Sequence, residues 1–378
     1  LKLILPQIVS AENDILIDDE GRHVVDLFSA NGTAWLGHCN PAISKAVAEQ
    51  LQRVWITGGL GTATFTQAKA AIEDCFPPSH QLAALYSTGM EAAEFAIRIA
   101  RAATGRNQIV GFEKSMHGKS MATAFLGWDN HDGLTLPNLH RLPFVPAASE
   151  DQILTELEQA LQSRAVSAVL IEPIQGSGGG HMASPRFYQE ATQLCRTYGA
   201  LSIFDEILSG FHRTGKPFLF DEFSVSPDMI LIGKSIGNGF PVSGVIARRD
   251  IEITPAMLPG STFAGNPLAA AAVVATLKQM KGLNLADMVA AIEQVILQCL
   301  SDLPKTGVAL RGKGAIWIME LPERLDAQRI VTDAYKKGAF VNFTGRLIRV
   351  LPAATISLEN LRKGCTILRE SILGADHG

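Results

Sequence analysis

The sequence predicts an α/β protein with a mostly parallel central sheet flanked by helices and a smaller α+β unit behind it. Three observations predict this. Short apolar runs bounded by charges, Gly or Pro recur through the middle of the chain. Helical patterns separate them, which implies parallel strands covered on both faces. Near residue 275 the alternation gives way to long helices and isolated strands.

The elements follow in order. Residues 91–103 (EAAEFAIRIARAA) read as a helix, with Glu91 and Glu94 early, Arg98 and Arg101 late and Gly105 just beyond. That is the charge order a helix dipole favours, closed by a glycine C-cap. QIVGF (Gln108–Phe112) reads as a buried strand, 151–162 as a helix, AVLI (168–171) as a strand and Pro185–Tyr198 as a helix. LSIF (201–204) and MILI (Met229–Ile232) complete the strand set. Beyond them, Leu285–Leu300 is a long helical pattern, 315–320 and 347–351 read as strands, and 358–373 as a closing helix. At ~100–200 residues per domain, 378 residues suggest two domains. The expected division is an N-terminal segment 1–55 packing with the small domain, a large ligand-binding domain 56–274 and a C-terminal small domain 275–378.

Composition narrows the function. Thirty-three Lys plus Arg against 37 Asp plus Glu leave a formal charge of −4, with no basic excess for nucleic acid or a polybasic membrane contact. The longest strongly apolar run, 268–277, is alanine-rich and too short to span a bilayer. Neither nucleic acid nor membrane is an expected partner. Cysteines 39, 75, 195, 299 and 365 are odd in number and none sits at CxxC spacing, so a reducing cytoplasm is expected and a disulfide framework or zinc site is not. His23, His38, His80, His131, His140, His181, His212 and His377 form no metal-ligand spacing and are expected to be structural or solvent-facing. The opening LKLILPQIV lacks a signal peptide's basic flank and long apolar stretch. It also lacks an initiating Met, so the start is processed or trimmed, or the chain is one module of a longer polypeptide.

Ligands in parallel α/β sheets bind beyond the carboxyl ends of the strands. Glu172, Asp205 and Lys234 stand at three such ends. An ion pair on the surface is the plain reading of Asp205 and Lys234, but Gly233, Gly237 and Gly239 around the lysine permit close approach of a flat ligand. Ser87-Thr88-Gly89-Met90 precedes the Glu91 helix, where free amides and the dipole make a phosphate cradle; a simple Ser/Thr N-cap is the alternative. Together the three parts meet the needs of pyridoxal 5′-phosphate (PLP): a phosphate cup, an acid for the ring nitrogen and an amine for a Schiff base.

The motif order STGMEAAE, MHG, IEPIQGSGG, FDEILSGFHRTG, IGKSIGNGFP and STFAGNP resembles the class III aminotransferases, the ornithine/4-aminobutyrate group of fold-type I PLP enzymes. The resemblance runs from 15–41 to 345–357. It implies that Lys234 is the Schiff-base lysine, that Asp205 pairs with the pyridine nitrogen, and that Thr88, Gly89 and Met90 hold the phosphate. Met116, His117, Glu172 and Leu208 fall at cofactor-proximal positions. Thr262 would reach the phosphate of a neighbouring subunit's cofactor, implying a homodimer with shared active sites. Trp35 lies in the segment that lines the substrate pocket, with core packing as the alternative. Arg349 matches the substrate-carboxylate clamp, with an ion-paired arginine as the alternative.

Five positions depart from the pattern. Met116 stands for a Phe or Tyr that stacks on the cofactor; its thioether still packs on a π-face, with less shape restriction. Leu208 replaces a common Gln. Ser177 replaces the Glu that gates the substrate arginine, and Ala353-Ala354 replaces Pro-Leu after Arg349. The resemblance implies an aminotransferase moving an amino group from an amino-acid or amine donor to a carbonyl acceptor, here a terminal aldehyde in a biosynthetic pathway. An aminomutase or racemase of the same fold is the alternative within enzymes, and a non-catalytic PLP-binding module the alternative outside them. His117 as a general base and Arg213 as a structural residue are weighed beside these roles.

Overall fold

The computed structural model describes residues 6–128, 136–258 and 260–375. His131 and His377 lie outside the described residues.

A seven-stranded sheet forms the centre. Its order across is His80–Tyr86, Ser243–Arg248, Met229–Ile232, Leu201–Asp205, Val166–Ile171, Gln108–Phe112 and Leu139–Leu142. Ser243–Arg248 runs antiparallel to both neighbours, and the remaining pairings are parallel. Alternate residues of one strand enter different cores, as a period of two requires. Ala168 and Leu170 join the helix Gly89–Thr104 on one face. Val169 and Ile171 join Ile153, Leu157, Phe187 and Tyr188 of helices Glu150–Gln162 and Pro185–Tyr198 on the other. Val166–Ile171 and Met229–Ile232 are therefore buried at every position.

A second, antiparallel sheet holds Ala309–Lys313, Ile316–Glu320, Leu347–Val350 and Asn342–Thr344 in that order, beside helices Leu285–Leu300, Ala327–Lys336 and Leu358–Ala375. A third sheet joins both ends of the chain. Ile8–Glu12, Ile15–Asp18 and His23–Asp26 pair antiparallel, and Ala339–Phe340 adds a parallel strand beside His23–Asp26. The division expected at 274/275 falls inside one unbroken helix, Pro267–Lys281. That helix buries nine residues, including Ala269 to Val273, so no linker separates the two units there. Among the described residues no single helix is long and apolar enough to cross a membrane.

Candidate active site

The carboxyl ends of four adjacent parallel strands carry the site. Asp205 ends Leu201–Asp205, Glu172 follows Ile171, Lys234 follows Met229–Ile232 by one glycine, and His117 lies in the loop after Gln108–Phe112. Two further segments complete it: the start of helix Gly89–Thr104, and the turn after Phe28. A cavity of about 370 Å³ opens here, walled by Thr33, Ser87, Gly89, Met90, Met116 and His117 and, opposite, by Ile207 and Lys234. Small-molecule sites occupy ~300–1,000 Å³.

Lys234 sits in the left-handed region with φ of 42° and begins one turn of 3₁₀ helix. For a residue with a Cβ this costs ~1–3 kcal/mol, a strain that the surrounding structure must impose. Burial drives its pKa below the usual lysine value, with Glu172 and Asp205 opposing and Arg213 and Arg349 assisting. The amine is thus a better nucleophile at neutral pH than an exposed lysine.

Asp205 is buried, and both its hydrogen-bond partners wall the cavity. His117 Nδ1 lies 2.8 Å from Oδ2, and the Ile207 amide donates to Oδ1 at 3.1 Å. His117 Nε2 is buried without a partner. The imidazole therefore orients Asp205. Glu172 accepts from the Met116 amide at 2.7 Å and from the Gly176 amide at 3.1 Å. It ties two site loops together, and burial beside Asp205 raises its pKa.

At the helix start, the Glu91 amide donates to Thr88 Oγ1 at 3.2 Å, and Glu91 accepts from the amides of Ser87 and Thr88. No hydrogen bond takes up the amides of Gly89 and Met90 among the described residues. A phosphate at the positive end of this sixteen-residue helix would meet them. A Cβ at Gly89 would lie 2.7 Å from Ile207 Cδ1, so that side chain would have to shift to admit one.

Several expected residues sit elsewhere. The Thr88 hydroxyl is committed to the cap, so its side chain serves the helix rather than a ligand. Leu208 does not wall the cavity; it fills the space between Gly32 and Gly176, whose missing side chains make room for it. Trp35 is fully buried, donates its indole N–H to the Phe211 carbonyl at 2.9 Å and lies 4.0 Å beneath the Arg213 guanidinium. It packs behind the site and does not line it. Thr262 is exposed and is not among the residues that wall its own chain's cavity, although Ser261 Oγ donates to Glu91 at the phosphate helix.

Arg349 lies with its guanidinium 5.0 Å from the Phe28 ring centroid, and its Nε is buried without a partner. No carboxylate among the described residues pairs with it, and burial lowers its pKa to about 10. Its charge is felt by Lys234, but it is not among the residues that wall the cavity. Sequence reasoning missed Ile207, which packs on both Gly89 and Gly233. Arg213 is structural as expected, held by the carbonyls of Gly32 at 2.6 Å and Pro352 at 3.1 Å, partners that the sequence did not name. Neither carries a local signal, because their partners lie far away in the chain.

An α/β sheet that sets an amine, a buried carboxylate and an open helix N-terminus around one cavity defines an enzyme built for a phosphorylated aldehyde cofactor, and these residues fit PLP. The chain belongs to the class III aminotransferases: residues 2–372 match the family described as Aminotransferase class-III. It is a PLP-dependent aminotransferase of fold type I. It is 33% identical to the acetylornithine aminotransferase of Halalkalibacterium halodurans, over 96% of this chain and 94% of that one. It is 32% identical to the LysW-aminoadipate semialdehyde/glutamate semialdehyde transaminase of Sulfolobus acidocaldarius, over 97% and 94%. Among solved structures it resembles the ornithine aminotransferase of Toxoplasma gondii, seen with partial occupancy of PLP at its active site. The TM-score is 0.89 at 27% identity, covering 100% of this chain and 92% of that one.

Proposed function

We propose that the enzyme transfers an amino group from an amino-acid donor to the terminal aldehyde of a small biosynthetic acceptor. The observation that carries this is Lys234, a buried amine of lowered pKa facing the same cavity as the free amides of Gly89 and Met90. Two relatives named for semialdehyde and acetylornithine substrates support the acceptor class.

When bound, PLP supplies a carbonyl that takes and returns the amino group and a ring that spreads carbanion charge. The free amides of Gly89 and Met90 would hold its phosphate. Asp205, fixed by His117 and Ile207, would pair with its ring nitrogen and favour the protonated form, since a nearby carboxylate raises the pKa of a cation. Lys234 Nζ would hold the cofactor and carry the proton at the substrate carbon. Mixing holoenzyme with single amines and following the cofactor absorbance tests the reading; no response to any amine would sink it.

Arg349 grips the donor's carboxylate. Losing a charge-assisted bidentate contact costs about 2–4 kcal/mol, or roughly 30- to 1,000-fold. Arg349→Ala should slow the half-reaction with α-amino acids by that factor and leave amines without a carboxylate nearly unchanged. The fold should tolerate the change, because no carboxylate is left orphaned. Equal losses for both substrate types would assign Arg349 to the fold.

The active unit is a homodimer in which Thr262 completes the partner's phosphate site. In the single chain Trp55, Leu60, Met121 and Phe263 are 59%, 76%, 62% and 63% exposed, a large apolar area for a partner to cover. Mixed Lys234→Ala and Thr262→Ala subunits should recover roughly a quarter of wild-type activity, because each hybrid keeps one intact composite site. A fully active monomer in sedimentation would reject the dimer. The five cysteines are all free, in keeping with a cytoplasmic setting.

A further inference from the structure

Two stretches of the active-site wall lie far apart in the chain. One carries Thr33, which follows a turn whose Ser29, Ala30, Asn31 and Gly32 all lie in the left-handed region, with φ of 46°, 50°, 62° and 76°. The other carries Lys234 and continues through Gly239 to Val242. Among the described residues, one side chain makes every hydrogen bond that joins 33–38 to 233–242. The Leu36 amide donates to Asn238 Oδ1 at 2.6 Å, and Asn238 Nδ2 donates to the Gly37 carbonyl at 3.0 Å.

Asn238 reaches back to Lys234 through one tight turn. The Gly237 amide donates to the Lys234 carbonyl at 3.1 Å, and the Asn238 amide donates to the Ser235 carbonyl at 3.3 Å. Both ends of the turn are left-handed, with φ of 42° at Lys234 and 44° at Asn238. Glycine would adopt that φ at Asn238 more readily. Asparagine tolerates it and adds an acceptor and a donor on one planar group, which match an amide and the following residue's carbonyl. The other side of Leu36–Gly37 is tied as firmly. His38 and Asn13 exchange backbone hydrogen bonds at 2.8 and 3.0 Å, and the Ala354 amide donates to the Trp35 carbonyl at 2.7 Å. Asn13 also bonds Thr355 through both polar atoms of its side chain. The clamp therefore pulls on a fixed anchor.

We propose that Asn238 is a positioning residue of the transamination: it anchors the Lys234 turn to Leu36 and Gly37, holds the left-handed backbone of Lys234 and so keeps the amine aimed into the cavity. This rests on the aminotransferase reading above. It adds that a side chain bonded only to the chain's own backbone sets the rate through the lysine.

Two variants test this. Asn238→Gly removes both side-chain bonds and leaves the backbone free to keep its φ. Asn238→Asp keeps the acceptor for Leu36 and loses the donor to Gly37. Hydrogen exchange is followed by mass spectrometry in the full chain, with and without cofactor, on peptides spanning 34–38 and 234–238. In Asn238→Gly both stretches should exchange roughly 10-fold faster, the effect of losing one or two such bonds, and Asn238→Asp should fall between glycine and wild type. Faster exchange at 34–38 alone would make Asn238 a fastener of the N-terminal segment and overturn the proposal. In holoenzyme, Asn238→Gly should lower the saturating half-reaction rate roughly 10-fold for every amine and leave half-saturating concentrations within about twofold. Borohydride should fix as much cofactor per chain as in wild type, which places the loss in the lysine's aim and not in missing sites. An unchanged rate, or a loss matched by missing cofactor, rejects the positioning role. Failure of the aminotransferase reading looks different, because wild-type holoenzyme would then respond to no amine at all. Exchange at 234–238 still decides in that case, and an unchanged rate there rejects the proposal.

Discussion

Lys234→Ala should abolish transamination, lowering the half-reaction by ~10⁴-fold or more, the upper range for removing a positioned acid–base group. The variant loses both the tether and the proton carrier, and among the described residues no other lysine lines the cavity. Borohydride treatment of wild-type holoenzyme should fix the cofactor on the peptide containing Lys234, and fixation on a different lysine would refute the assignment. A second readout comes from the cofactor-free protein. Burial lowers the Lys234 pKa below 10.5, so the unfolded chain takes up a proton that the folded chain refuses. Stability should therefore rise with pH up to the ordinary lysine value and flatten beyond it, and the variant should lack that slope.

Asp205→Asn should lower turnover by roughly 10²- to 10³-fold, the usual cost of removing one preorganised electrostatic group. Cofactor binding should survive in part, because Gly89 and Met90 remain. The amide oxygen can keep the Ile207 N–H, but the cation at the ring loses its counter-charge. His117→Gln should cause a smaller loss, since the imidazole only orients the carboxylate through its 2.8 Å contact. Near-normal turnover in Asp205→Asn would contradict the role.

Much of this was legible in the sequence where local chemistry decides the outcome. Met229–Ile232 is apolar along its whole length and Gln108–Phe112 is so after its first residue, and the structure places strands at those bounds. Pro185–Tyr198 and Leu285–Leu300 carry clear helical periodicity and form as expected. Strands without that signal were invisible. His80–Tyr86 starts with two polar residues, Ser243–Arg248 is interrupted by Gly244, and Ile8–Glu12 is mostly exposed. At the site, Lys234, Asp205 and the Gly89 helix stand out because each occupies an element end. Trp35 and Leu208 were misplaced because burial depends on what covers a residue. Arg213 covers Trp35 across 178 positions, and no local pattern encodes that contact.

Arg213 also sets the order in which the enzyme can be completed. Its guanidinium is satisfied by carbonyls at Gly32 and Pro352, and the flanking backbone is sewn by Leu351 N to Leu27 O and Ala354 N to Trp35 O, both at 2.7 Å. All seven strands of the central sheet end by Arg248, so their pairing can begin while the ribosome is still translating. The floor beneath Lys234 cannot. Until residues 351–354 emerge, Arg213 is a cation with half its acceptors missing, and burying it would cost more than leaving it in water. A nascent chain thus carries an assembled scaffold and an open, hydrated groove, so the capacity to hold cofactor arrives near the end of synthesis. Chains stopped before residue 352 stay chemically silent.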